Sequence, residues 1–135
     1  MYRNTCCSDR YVAVIVGNVL IFNMYLPCVG TVGTPDRQSI IDQLFLEIHD
    51  CMSRYGNHYI IIGGDFNTDL GKHNQTSSAI NQFVDDNALY RCDSSFGFRD
   101  KQCTYYNKAQ GSGSTIYYFL ITEFDSFAGR LCHSC

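Results

Sequence analysis

No apolar run in this 135-residue chain approaches the roughly 20 residues that a membrane-spanning helix needs, so no membrane partner is expected. Positive charge is scarce too. Ten Lys and Arg against 13 Asp and Glu leave a net charge of -3. That balance excludes the broad attraction to a nucleic-acid backbone which a basic surface supplies, so any such contact has to be local. Residues 1–10 contain no apolar core of a secretory leader. The eight cysteines (Cys6, Cys7, Cys28, Cys51, Cys92, Cys103, Cys132 and Cys135) are therefore expected as reduced thiols of a soluble intracellular protein, not as a disulfide framework. No Gly-x-Ser-x-Gly elbow is present, which discounts a covalent hydrolase mechanism. Internal repeats and low-complexity tracts are also missing.

What remains is rich enough for one globular domain, with 45% hydrophobic and 14% aromatic residues. Two β-rich runs between Tyr11 and Tyr25 flank Gly17-Asn18, a dipeptide suited to a two-residue hairpin turn, and predict an antiparallel pair ending at Leu26-Pro27. Thr34-Pro35-Asp36 reads as a helix start. Ile41, Leu44, Phe45, Ile48, Cys51, Met52 and Tyr55 follow at helical spacing up to Gly56. His58 to Ile62 lacks alternation, as in a central strand covered on both faces, and Gly63-Gly64 predicts a sharp exit that delivers Asp65 to a loop.

A shorter helix is expected over 76–89, with Thr76 or Ser77 as cap and Ile80, Phe83 and Val84 on its buried face. Strands are expected at 89–92, 103–107 and 115–122, the last two joined by a flexible connection over 108–113. The order of elements predicts an α/β (α+β) layered architecture, a mixed β-sheet with helices packed on one face.

Asp65 and Asn67 lie two residues apart just after the apolar strand, where open sheets commonly bind ligands. A carboxylate there can orient and deprotonate a water or hold a hard divalent ion. A neutral amide can hydrogen-bond a phosphate oxygen without adding negative charge. Gly, Asp and Asn are also the residues that turns favour, so the same letters describe a plain turn.

Gly64-Asp65-Phe66-Asn67 after Ile60-Ile61-Ile62 resembles the central motif of the endonuclease/exonuclease/phosphatase (DNase I-like) superfamily. Asn23-Met24-Tyr25-Leu26-Pro27 resembles its upstream strand end, and Thr104 to Asn107 followed by Ser114 to Leu120 resembles its late hairpin. The style is most similar to the endonuclease domains of non-long-terminal-repeat retrotransposons. The resemblance implies Mg²⁺-dependent phosphodiester hydrolysis, with Mn²⁺ able to take the ion's place and DNA as the leading substrate, while RNA, inositol phosphates and lipid headgroups stay open because enzymes for them share the scaffold. In it, Asp65 activates or positions the water, Asn67 binds the scissile phosphate, and Tyr25 contacts phosphate or developing charge through its hydroxyl.

The resemblance spans residues 11–122, leaving 1–10 as an N-terminal segment and 123–135 as a tail, and it corresponds to the later half of a two-sheet sandwich with outer helices. Tyr117 stands where the pattern Ser-x-x-Asp-Tyr has its acid. A phenol with a pKa near 10 stays neutral, so impaired chemistry is expected. The family's early metal-binding Glu and closing Ser-Asp-His have no counterpart, so the chain looks truncated, and the rival expectation is a catalytically inactive remnant or interaction module. A half-sandwich also predicts an uncovered apolar sheet face and self-association through it.

The remaining clusters carry less. Cys132-x-x-Cys135 with His133 has zinc-like spacing, but a structural zinc takes four ligands and Cys6-Cys7 are adjacent. His49, His58 and His73 share no spacing that makes a metal pair, and Asp85-Asp86 reads as the solvent face of the second helix.

Overall fold

The chain turns back on itself at Gly17-Asn18, where Gly17 takes a φ of 61° that costs a glycine nothing. Strands β2 (Tyr11–Val16) and β3 (Val19–Tyr25) close on the Val16–Val19 pair, as the turn dipeptide predicts. In this computed structural model, residues 2–28, 34–92 and 105–122 are described. No element is expected from the sequence before Tyr11, yet Tyr2–Ser8 forms strand β1, antiparallel to β2 with an irregularity between Asn4 and Cys6.

Helix α1 (Thr34–Arg54) carries the chain across to β4 (Tyr59–Asp65), which pairs with β3 in parallel, a geometry that requires such a crossover. Its residues at helical spacing, Ile41, Leu44, Phe45, Ile48, Cys51 and Met52, are all buried. Helix α2 (Gln75–Asp86) starts two or three residues earlier than Thr76 or Ser77 acting as cap would place it. The cap is Asn74. Its side chain accepts from Ser77 N at 2.9 Å, while its own N–H donates to Ser77 Oγ at 3.0 Å, a reciprocal pair that satisfies two orphan donors. Ile80, Phe83 and Val84 are buried and Asp85-Asp86 exposed, as expected.

After β5 (Leu89–Arg91), the short strands β6 (Tyr105–Asn107) and β7 (Ser112–Ser114) pair with each other. The expected hairpin of the last two strands is thus corrected, because part of the Ser/Gly-rich connection is itself a strand. Strand β8 (Tyr117–Thr122) instead enters the main sheet between β4 and β5. The result is a mixed α+β architecture, a six-stranded sheet in the order β1-β2-β3-β4-β8-β5 with two helices.

The helices cover one face. Leu20, Phe22, Met24, Ile60, Ile62, Tyr118 and Leu120 point into a single core with both helices, where Phe45 stacks on Phe83 at 4.5 Å between ring centroids. Burying each such side chain stabilises the fold by about 1.5–3 kcal/mol before entropy is counted. The opposite face presents Val12, Val16, Tyr59 and Phe119, all exposed, so β4 is central in the sheet, and among the described residues only one of its faces has the cover that its unbroken apolar run predicts for both. No described helix is long and apolar enough to cross a membrane. Cys6, Cys7, Cys28, Cys51 and Cys92 are free thiols, whereas Cys103, Cys132, His133 and Cys135 lie outside the described residues.

Candidate active-site cleft at the ends of the central strands

Gly63 and Gly64 do not break the strand, contrary to the expected sharp exit. They continue the β4 ladder, and Asp65 is its last residue. Gly64 has a φ of 134°, and a Cβ on it would lie 2.0 Å from the Met24 carbonyl oxygen, so only glycine fits this close approach of β3 and β4. The register then sets three side chains in one row across the sheet, Tyr25 on β3, Asp65 on β4 and Tyr117 on β8.

The turn after Asp65 is built by Asp65 itself. Its Oδ1 accepts the backbone N–H of Asn67 at 2.8 Å, the local bond that lets Asp favour turns. Asn67 takes a φ of 45°, a conformation Asn tolerates better than most residues. Its Nδ2 donates to the Leu26 carbonyl at 2.7 Å, and Leu26 N–H donates to the Asp65 carbonyl at 2.9 Å. The two loops that carry Tyr25 and Asn67 are thus tied to each other. One amide hydrogen of Asn67 serves this tie, which leaves the second to meet a ligand.

Below the turn, Phe66 is fully buried and meets the Tyr118 ring edge-on at 5.5 Å. The Tyr118 hydroxyl donates to the Thr115 carbonyl and accepts Leu70 N–H at 2.9 Å, pinning the continuation of the loop. Asp65 and Asn67 therefore project from a backbone anchored on both sides. Tyr25 and Tyr117 are each about half exposed.

Two cations complete the picture, and neither was singled out by motif. Arg10 sits in the β1–β2 turn; its carbonyl accepts Tyr25 N–H at 2.8 Å, and its guanidinium lies 5.7 Å from the Tyr25 ring centroid. Counting back from the Gly17-Asn18 turn pairs Arg10 with Tyr25, so the hairpin register held the signal for it. Arg37 on α1 is buried. It donates to the Pro27 carbonyl at 2.9 Å and to Thr76 Oγ1, with Thr68 Oγ1 at 3.4 Å. Burial pulls its pKa down, and it clamps the segments that follow Tyr25 and Asn67.

Ser8, Asp9, Arg10, Asn23, Tyr25, Asp65 and Tyr117 surround an open cleft of about 600 Å³. Tyr11 closes one wall, and burial pushes its phenol up to about 12, so it remains a neutral hydroxyl. A half-buried carboxylate, neutral phenols and amides, and one cation can orient a water and hold a phosphate-sized anion. Among the described residues no three His, Cys, Asp or Glu side chains cluster as a metal site. Asp65 and Asp9 both line the cleft and carry the hard carboxylate oxygens that Mg²⁺ favours, an ion that commonly takes one or two carboxylates and completes its shell with water and phosphate. His49 bonds Asn87, His58 lies just before β4 with its ring edge-on to Tyr55, and His73 lies in the loop before α2, so these three histidines stay apart from one another.

No protein-family model matches the chain, and no curated protein matches it. Among solved structures it is similar to a 3′ phosphatase, NExo, from Neisseria, bound to a product DNA hairpin, with a TM-score of 0.62 and 17% identity. The match covers 89% of this chain and 54% of that one, so the chain spans about half the length of its neighbour. At this identity the likeness shows the fold alone. That fold is the DNase I-like, mixed-sheet α+β arrangement.

Proposed function

We propose that the chain carries the phosphodiesterase half-site of a DNase I-like nuclease, acting by Mg²⁺-dependent hydrolysis with DNA as substrate. One observation carries the reading. Of the residues that the motif resemblance selects, Asp65 and Tyr25 line one cleft at the carboxyl ends of adjacent parallel strands, and Asn67 follows in the turn tied to Leu26. A fold shared with a DNA 3′ phosphatase supports the substrate class. The three ordered motifs support a retrotransposon-type endonuclease within that class, and the free thiols agree with an intracellular setting.

In this reading the Asp65 carboxylate accepts the proton of a water held in the cleft and directs that water at phosphorus. The remaining Asn67 amide hydrogen, the Tyr25 hydroxyl and the Arg10 guanidinium meet the phosphate oxygens. Stabilisation there is worth most where charge develops. Arg37 positions two of these groups by holding the segments that carry them. Asp65 and Asp9, which line the same cleft, would hold a Mg²⁺ or Mn²⁺ ion, which would supply charge compensation at the phosphate and the leaving oxygen.

Tyr117 favours a second reading. It lies directly across the ladder from Asp65, so a neutral phenol occupies the position where the resemblance implies an acid. This supports slow chemistry or, at the limit, a non-catalytic remnant that keeps the fold as an interaction module. Nicking of supercoiled plasmid in Mg²⁺ separates the two. Weak, metal-dependent nicking that Asp65→Ala abolishes is the expected result. Equal nicking by both proteins would assign any activity elsewhere, and the absence of nicking by either would leave the remnant reading.

A further inference from the structure

We propose that the groove between the outer sides of α1 and α2 is a docking site for a basic amphipathic helix of another protein. The inference does not rest on the catalytic reading, and it uses the side of the molecule away from the open sheet face. Phe45 stacks on Phe83 and His49 bonds Asn87 at 2.9 Å, two pairs with the same offset of 38 residues, so the helices lie side by side and run in one direction. Between them lies a groove of about 500 Å³, floored by Phe45 and Phe83 and flanked by Leu46, Ala79 and Gln82.

Leu46 is 64% exposed, more than any other large apolar side chain described. A lone exposed leucine is ordinary on a surface, but this one borders aromatic rings that the groove leaves within reach. A ridge of side chains from a third helix fits such a channel between two others.

Charge selects the partner. The two helices carry Asp36, Asp42, Glu47, Asp50, Asp85 and Asp86 against Arg37 and Arg54, a net charge of -4 where the whole chain has -3. Arg37 is buried, Arg54 pairs with Asp50 at 3.4 Å, and among the described residues no Lys or Arg lines the groove. Asp42 and Asp86 do line it. Gln38 Nε2 donates to Asp42 Oδ1 at 2.8 Å and Gln82 Nε2 donates to Asp86 Oδ1 at 2.7 Å, which steadies each carboxylate and leaves its other oxygen to a partner. In the 38-residue register the two acids stand about six residues apart, roughly 9 Å along the axes. A partner helix with Lys or Arg two turns apart and apolar residues between them meets both acids and the aromatic floor at once. Nucleic acid and anionic lipid are repelled here, and a second copy of these helices would bring acids against acids.

The chain has no Trp, so a peptide that carries one reports its own burial. The probe is an Ala-rich peptide of about 14 residues, with Lys two turns apart and Leu and Trp between them on one helical face. Titrated with the full chain, its emission should shift to the blue and saturate with a micromolar dissociation constant. Leu46→Gln, and separately Asp42→Asn with Asp86→Asn, should each raise that constant at least about tenfold. Asp36→Asn with Glu47→Gln removes the same charge from α1 outside the groove and should leave the constant within about twofold, with circular dichroism confirming that each variant is folded. No binding at high micromolar would overturn the proposal, as for a groove filled by other residues of this chain. So would equal binding of a peptide of the same composition with its Leu and Trp spread over all faces, which is charge attraction alone, or an outer pair that weakens binding as much as the groove pair.

Discussion

Strand β8 places Phe119 and Leu120 side by side in sequence and on opposite sides of the sheet, one 62% exposed and the other fully buried. The face beneath the helices is a closed core, in which every side chain is constrained by neighbours. The other face is also largely apolar, with Asn23 and Asp65 among its residues, and has no described cover. Strand alternation thus does not cleanly separate polar from apolar here; it separates apolar residues packed under the helices from apolar residues that no described element covers. The candidate cleft lies where the two regimes meet, its loops braced by core residues such as Phe66 and Tyr118 and its opening on the bare side.

The adjacent glycines sharpen this contrast most. Gly64→Ala forces a Cβ against the β3 backbone at a φ of 134°, and neither can yield. A loss of at least about 4 kcal/mol, or failure to fold, is expected from overpacking and backbone strain together. Gly63→Ala meets only the ring of the exposed Phe119, which can swing aside, so urea unfolding should register about 1 kcal/mol or less. Equal costs at the two positions would break the comparison.

Next in size, Leu120→Ala should cost about 3 kcal/mol through the cavity it leaves, while Phe119→Ala, measured where the chain is monomeric, should cost under about 0.5 kcal/mol. A large loss at Phe119 in the monomer would mean that the face is covered within the chain.

The smallest effect concerns pH. Burial on the core side raises the Tyr11 phenol from 10.0 to about 12, so the folded state retains the proton that the unfolded chain releases. Its contribution is fully present below about pH 10 and declines between about pH 10 and 12 by on the order of 2 kcal/mol. Denaturation of Tyr11→Phe should show a shallower alkaline loss than the wild type. Parallel slopes would place Tyr11 in a wetter setting than the structure does.

Much of the covered side was legible in sequence because it follows simple periods. The residues from Ile41 to Met52 repeat at helical spacing, and Gly17-Asn18 fixes the β2–β3 register by itself. Strand β1 was not legible, since Arg3-Asn4-Thr5 and Ser8 bring little apolar patterning and become a strand only by pairing with β2. Ser112-Gly113-Ser114 reads as linker for the same reason, and β6 alone makes it β7. At the α2 start, Thr76 and Ser77 read as caps by residue type, and only the reciprocal bond between Asn74 and Ser77 makes Asn74 the N-cap. Of the candidate site, Asp65 and Tyr25 in the cleft and Asn67 in the adjoining turn were visible as a motif. Arg37 was not, because a buried arginine without a paired acid leaves no spacing signature; it is recognised by the carbonyl and hydroxyls it gathers.

The central claim is that this cleft keeps a phosphodiesterase arrangement whose weak point is the neutral residue opposite Asp65. Tyr117→Asp tests it most directly, since Tyr117 is exposed and the change restores an acid without entering the core. In Mg²⁺-dependent plasmid nicking the account predicts that this variant cleaves at least about tenfold faster than the wild type, a change of about 1.4 kcal/mol in barrier, and that adding Asp65→Ala removes the gain. A folded Tyr117→Asp protein that nicks no faster than the wild type would contradict it.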